Sequence, residues 1–347
     1  MMKLPPLPKV GSSDMHDVAH ERISGGAVQE YKQDPGGIYI VHNAEAAITR
    51  IETFYSKGQE GRAEYTLGSL EFVEIDLLDL ASVKRAAEDF SSREGPDGRL
   101  DVLFNNAGTG ALKNAPSSPQ GHEYHFSINV SGGFLLTRLL APILSRTACN
   151  LPPNSVRVVW SASVMVDMMS PESGINPQFL RDTRTVQDVA ELYATSKAAG
   201  WFLASEFARR QVSSNSGVVS VAGNPGDYVT NVWRHTSTMV YYFFRPVLRA
   251  PVHGAKTYLW MAFPPSVTVE EASAGRYAIC DGRWHPAPRD DLGHSNLPTF
   301  CFHISSFGVL NTSRRTFVLP TTADSKFRSF RVEDPFKGRL QSSKRDV

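Results

Sequence analysis

In the stretch "ELYATSKAAG", residues 191–200, Tyr193 and Lys197 stand four positions apart. That spacing stacks two side chains on one face of a helix. A free phenol loses its proton only near pH ~10, too high for ready exchange at neutral pH. A neighbouring ammonium favours the phenolate and lowers that value, so the pair has the makings of a general acid–base. Tyr…Lys at this spacing is also common on helices that do no chemistry. The elements that would surround the pair must decide.

Short β-branched runs alternate with longer helical patterns from about residue 37 to residue 280. "GIYIVHN", "LEFVEID", "LDVLFNNAG", "SVRVVWSAS", "GVVSVAGNPG" and "GRYAICDG" read as strands. "AEAAITRIETFY", "LASVKRAAEDF", "HEYHFSINVSGGFLLTRLLAPIL" and the segment around Tyr193 and Lys197 read as helices. Strands whose apolar residues run together, with helices between them, argue for a parallel sheet covered on both faces. The fold class is therefore α/β, a doubly wound, Rossmann-like parallel sheet. Residues 1–36, rich in Pro, Gly and Ser, read as an irregular amino-terminal segment, and 37–293 as the α/β domain. Residues 294–347, with nine Lys/Arg against four Asp/Glu, read as a loosely ordered basic tail.

Composition narrows the partners. A formal net charge of +1 over 347 residues nominates neither nucleic acid nor an anionic membrane. Cys149, Cys280 and Cys301 have neither metal-ligand spacing nor a disulfide framework, and read as core thiols. "MVYYFFRPVL" is too short to span a bilayer and is broken by Arg245 and Pro246. The start "MMKLPPLPKVGSSDMHD" lacks the apolar run of a signal peptide. The expectation is a cytoplasmic protein with a small-molecule substrate, no nucleic acid and no transmembrane segment; homo-oligomerisation stays open.

An open α/β sheet binds ligands at the carboxyl ends of its strands, and here those ends are small or polar. After "LDVLF" comes Asn105-Asn106-Ala107-Gly108, and after "VRVVW" come Ser161, Ala162 and Ser163. After "VVSVAG" comes "NPGDYVT", with Pro225-Gly226 turning the chain and Thr230 offering a hydroxyl. Asn129 is a polar residue inside an otherwise apolar helix.

With these pieces in order, "NNAG" at 105–108, Asn129 in "INVSGG", Ser163 in "SASV", Tyr193-x-x-x-Lys197 and "NPGDYVT", the chain resembles the short-chain dehydrogenases/reductases over roughly residues 37–285. The insertion between Ser163 and Tyr193 resembles those of the retinol-dehydrogenase-like and fungal secondary-metabolism-like branches. The resemblance implies an NAD(P)-dependent oxidoreductase. Tyr193 would be the proton donor or acceptor at the substrate oxygen, with Lys197 lowering its pKa and holding the nicotinamide ribose. Ser163 would polarise the substrate oxygen, with Ser161 as its rival. Asn129 would distort its helix to seat a water linking Lys197 to solvent. Asp76 would be the adenine-binding acid, with Asn105, Ala107 and Gly108 bordering the cofactor and Tyr228 and Thr230 meeting the carboxamide. Residue-level alternatives are a satisfied core amide for Asn129 and a helix cap for Ser163. Asp76 could likewise cap a helix, although Asp79 is better placed for that. NADP is favoured over NAD from the branch resembled, since His42 and Asn43 stand where an arginine would select a 2′-phosphate.

The family's glycine-rich opening, which aims backbone N–H groups at a pyrophosphate, has no counterpart in residues 5–20. Gly11 is the only glycine before Gly25. The first central strand is expected to be absent and the affinity for a dinucleotide weak. A missed first exon, loss of tight cofactor binding to leave a scaffold, and unconventional filling by residues 1–36 all account for this. An imperfect copy of a real reductase is the favoured account. Hydrolase chemistry at Ser163 is disfavoured, because no G-x-S-x-G elbow surrounds it. The aromatic stretch "NVWRHTSTMVYYFFRPVLRAP" after Thr230 is expected to wall an apolar substrate pocket.

Overall fold

In the computed structural model the described residues are 49, 53, 70–176, 178, 179, 182, 186–214, 216–229 and 238–292. All lie within one unit of the chain, residues 1–310. The expectations for residues 1–36, for "GIYIVHN" with most of its helix, for residues 230–237, for Cys301 and for the tail fall outside them.

The helix α1, Leu80–Glu94, starts at Asp79, whose carboxylate accepts from the Ala81 N–H. Strand β1 follows at Val102–Asn105. The long apolar pattern then forms α2, Tyr124–Phe126, a π-helical turn at Ser127–Gly132, and α3, Gly133–Cys149. Next come β2, Val156–Ser161, the short α4, Met165–Met169, and α5, Val189–Ser214, which carries Tyr193 and Lys197. The remainder is β3, Val218–Gly223, α6, Thr238–Phe244, α7, Pro251–Ala262, α8, Val269–Ser273, and the hairpin of β4, Tyr277–Ile279, with β5, Arg283–Trp284.

The described strands stand in the order β1-β2-β3-β4-β5, parallel except for the last pair. A parallel ladder needs a long crossover, usually a helix, and alternate residues of β2 and β3 therefore feed two covered faces. Val156, Val158 and Trp160 pack with Ala198, Phe202 and Leu144 of α5 and α3. Val159, Val219 and Val221 pack with Met261 and Ala262 of α7. Burial on both faces is why these strands read as unbroken apolar runs.

Two expectations change and one gains detail. "LEFVEID" pairs with no described strand and enters α1 as irregular chain. "GRYAICDG" supplies the expected strand, β4, parallel to β3, and it continues into a hairpin because Asp281 and Gly282 both take positive φ and turn the chain back. Cys149 is exposed and Cys280 only half-buried, so neither is a core thiol. Among the described residues β1 is the edge of the sheet. Among those described, one helix, Tyr124–Cys149, is long and apolar enough to cross a membrane; more than half of its apolar window is buried within the protein.

Candidate active site

The ladders align Asn105 with Trp160 and Ser161 with Gly223, so the carboxyl ends of β1, β2 and β3 lie side by side. A cavity of about 390 Å³ opens there. Asn106, Gly108, Ser163, Tyr193, Lys197 and Tyr228 are among its walls, so residues far apart in the sequence meet at one edge. Thr109, Ser161, Asn224, Asp227 and Tyr258 add to its polar lining.

α5 delivers its pair on one face, with the Lys197 Nζ 5.8 Å from the Tyr193 ring centroid. Lys197 is 6% exposed, and burial lowers its pKa to about 8. Its Nζ donates to the Ser161 carbonyl at 3.3 Å. Burial also raises Tyr193, with Asp227 adding to the rise and a hydrogen bond with the Ser163 side chain opposing it. The expectation that Lys197 brings the phenol below its ordinary value is not met in this structure. Both groups are desolvated, and desolvation favours the neutral form of each. At pH 7 the arrangement is a protonated phenol beside an ammonium.

Ser163 does two jobs. Its hydroxyl faces Tyr193 in the cavity and also accepts from the Met165 N–H at 3.3 Å, capping the turn into α4. The Ser163 carbonyl accepts from the buried Tyr277 hydroxyl at 3.1 Å. Asn129 lies within the π-helical turn, the distortion expected of it. Its Oδ1 accepts from the Thr109 N–H at 2.9 Å, and its Nδ2 donates to Ser196 Oγ at 2.9 Å. The amide therefore ties the loop after β1 to α5, as a satisfied core amide does.

Gly108 is the close-approach position. A Cβ there would lie 2.7 Å from Asn129 Oδ1 and 3.2 Å from Lys197 Nζ, so a side chain would have to displace the machinery itself. Gly226, at φ +105°, turns the chain so that Tyr228 folds beneath it and its hydroxyl donates to the Pro225 carbonyl. Tyr228 is buried and its phenol is pushed up to about 12.

Three other expected cofactor contacts, Asn105, Ala107 and Asp76, do not line the cavity. Asn105 donates from Nδ2 to Thr137 Oγ1 of α3 at 2.8 Å, and Ala107 is exposed and does not line the cavity. Asp76 accepts from the Leu78 N–H at 2.9 Å, while Asp79 caps α1. The donors around the cavity fit the nicotinamide–ribose end of a dinucleotide: a buried ammonium, two hydroxyls and a glycine floor. Asp76 and Asn105, the groups expected at the adenosine end, each make one hydrogen bond within the protein.

Sequence reasoning missed Tyr258, whose hydroxyl donates to Ser161 Oγ at 2.8 Å across 97 positions of chain. Nothing in "HGAKTYLWMA" marks that tyrosine. Of the stretch 231–251 expected to wall the pocket, residues 231–237 lie outside the described residues and Pro251 lines the cavity, whereas Met239, Tyr242 and Phe243 of α6 are exposed and absent from the lining.

No family model matches the chain. It is similar to a short-chain dehydrogenase/reductase of Phomopsis amygdali, 40% identical over 234 residues, covering 67% of this chain and 67% of that protein. It is also similar to one of Emericella nidulans, 35% identical over 261 residues, covering 75% and 80%. The chain spans 64% of the length of one such relative and 65% of another. Among solved structures, an uncharacterized protein from Mycobacterium paratuberculosis shares the fold at a TM-score of 0.52 and 24% identity, covering 78% of this chain and 81% of that one.

Proposed function

Since the chain belongs to the short-chain dehydrogenase/reductase family of oxidoreductases, we propose that it interconverts a carbonyl and a secondary alcohol with a nicotinamide dinucleotide, NADP before NAD. The observation that carries this reading is the convergence of Ser163, Tyr193 and Lys197 in one cavity at the strand ends. When bound, the nicotinamide supplies or accepts the hydride.

The protein's part is to place an oxygen and to manage one proton. In reduction, the Ser163 hydroxyl donates to the substrate oxygen and holds it beside Tyr193. Tyr193 gives its proton to that oxygen as negative charge develops there. Lys197, charged at pH 7, stabilises the phenolate left behind. Burial raises the phenol, so the ammonium of Lys197 is the group that stabilises the phenolate as the proton leaves. Lys197 is buried and Tyr193 half-buried, and the partial exclusion of water strengthens each of these interactions.

The substrate is proposed to be an organic carbonyl compound with an apolar body, in secondary metabolism and in the cytoplasm. The family branch resembled and the fungal sources of the relatives support that assignment. NADPH consumption by the full chain, measured over a panel of aldehydes and ketones, tests it. Turnover of apolar ketones is expected. Retention of NADPH without turnover of any carbonyl would instead mark a binding protein on a reductase fold.

A further inference from the structure

The cavity holds two serine–tyrosine pairs, and the proposed chemistry uses only one. Ser161 ends β2 and Ser163 follows two residues on, a step of about 6.5 Å along extended chain. Ser163 meets Tyr193 of α5, and Ser161 meets Tyr258 of α7. Both pairs line the same cavity.

The second pair is not needed to join α7 to the sheet. Met261 and Ala262 already pack α7 against Val159 and Val221. An apolar pair at 161 and 258 would close that junction without burying two hydroxyls, whose desolvation is offset only by hydrogen bonds. Burial pushes the Tyr258 phenol up to about 12, so it stays a neutral donor. It spends its one proton on Ser161 Oγ. A serine hydroxyl that has accepted one bond still has its own hydrogen to give, and the cavity is where Ser161 can give it. The Ser161 main chain is committed separately: its carbonyl accepts from Lys197, and the next N–H, that of Ala162, donates to the Gly223 carbonyl at 2.8 Å. The peptide is therefore held in place, and the hydroxyl is the part left for a ligand.

We propose that Ser161 and Tyr258 form a second oxygen-binding subsite, which selects carbonyl substrates bearing a further hydroxyl or carbonyl oxygen a few carbons from the reacting one. The proposal rests on reading the cavity as the reductase site. Tyr258 fixes the Ser161 rotamer, and Ser161 donates to the second oxygen while Ser163 and Tyr193 hold the first. A subsite of this kind discriminates strongly, because a ligand lacking the oxygen leaves the donor buried and unpaired.

The test uses two probes that differ by one hydroxyl, 4-hydroxy-4-phenylbutan-2-one and 4-phenylbutan-2-one. Their binding to the full chain is measured by calorimetry in the presence of NADP. The expected result is a preference of about tenfold or more for the hydroxyketone. That preference should vanish in Tyr258→Phe and in Ser161→Ala, with the affinity for the plain ketone unchanged. Ser161→Ala removes a single oxygen and serves where the tyrosine variant does not fold. Equal affinity of the wild-type chain for both probes would overturn the proposal, as would a preference that survives both variants. Weakened NADP binding in the variants, with the probe preference intact, would assign the pair to the cofactor and overturn it too. The underlying reading fails separately, since Tyr193→Phe with unchanged turnover would refute the catalytic assignment while leaving the binding preference measurable.

Discussion

The strand-end cavity and the helix α6 invert the usual distribution of polarity. Around the cavity, polar groups are buried: Lys197, Ser196 and Asn224 are all nearly inaccessible. On α6, apolar groups are exposed, with Met239 at 81% and Phe243 at 79%, and no residue of the helix is buried. Both regions stood out in the sequence as functional. Buried polar groups persist only where partners satisfy them, so the cavity carries a chemical commitment that the surface helix does not. Exposed apolar side chains, by contrast, are compatible with several uses.

The largest effect that would break this contrast is at Tyr193. Tyr193→Phe should lower kcat by about 10²–10⁴-fold, the usual contribution of a positioned acid–base, with circular dichroism and the melting temperature unchanged. Turnover at the wild-type rate would mean that the cavity's polar groups are structural.

Arg157, at the other end of β2, tests whether burial with partners is costly to disturb. Its guanidinium donates to the carbonyls of Asn154, Met261 and Pro264, and burial brings its pKa to about 10. Arg157→Ala takes that donor from three carbonyls and opens a void, so denaturant unfolding should show a loss of about 4 kcal/mol. A loss below about 1 kcal/mol would mean that water replaces the side chain freely.

Lys197 sharpens the comparison through pH. Its pKa is about 8 in the folded chain against 10.5 for a freely solvated lysine. Between those values the unfolded chain holds a proton that the folded chain has released, so stability rises with pH across that window. The cost of the buried ammonium is present in full below pH 8 and relieved above 10.5. Relative to Lys197→Met, the wild-type chain should therefore gain about 3 kcal/mol from pH 7 to pH 10.5. A flat difference would show that the ammonium is solvated.

The smallest effect belongs to α6. Phe243→Ser should alter stability by less than about 0.5 kcal/mol, as exposed substitutions do. If it also raises KM for apolar ketones while leaving small ketones unaffected, α6 closes over the cavity during turnover.

The sequence by itself determined the α/β alternation, because strands buried on both faces must be continuously apolar and a parallel crossover is usually helical. It also determined the Tyr193–Lys197 face, since four residues make about one turn. Asn129 was legible as a residue in need of partners, because a polar amide in an apolar helix must find them. What the sequence could not determine was any contact made across the sheet. The Asn105 side chain turns to Thr137, 32 residues along the chain, a partner that only the packing of α3 against β1 supplies. The stretch 238–244 was legible as aromatic but not as exposed, since a run of side chains carries no information about which of them find a partner. Tyr258 reaches Ser161 only because α7 packs against β2 and β3, and that packing belongs to the tertiary structure alone: the closing of 97 residues of chain leaves no local pattern to read.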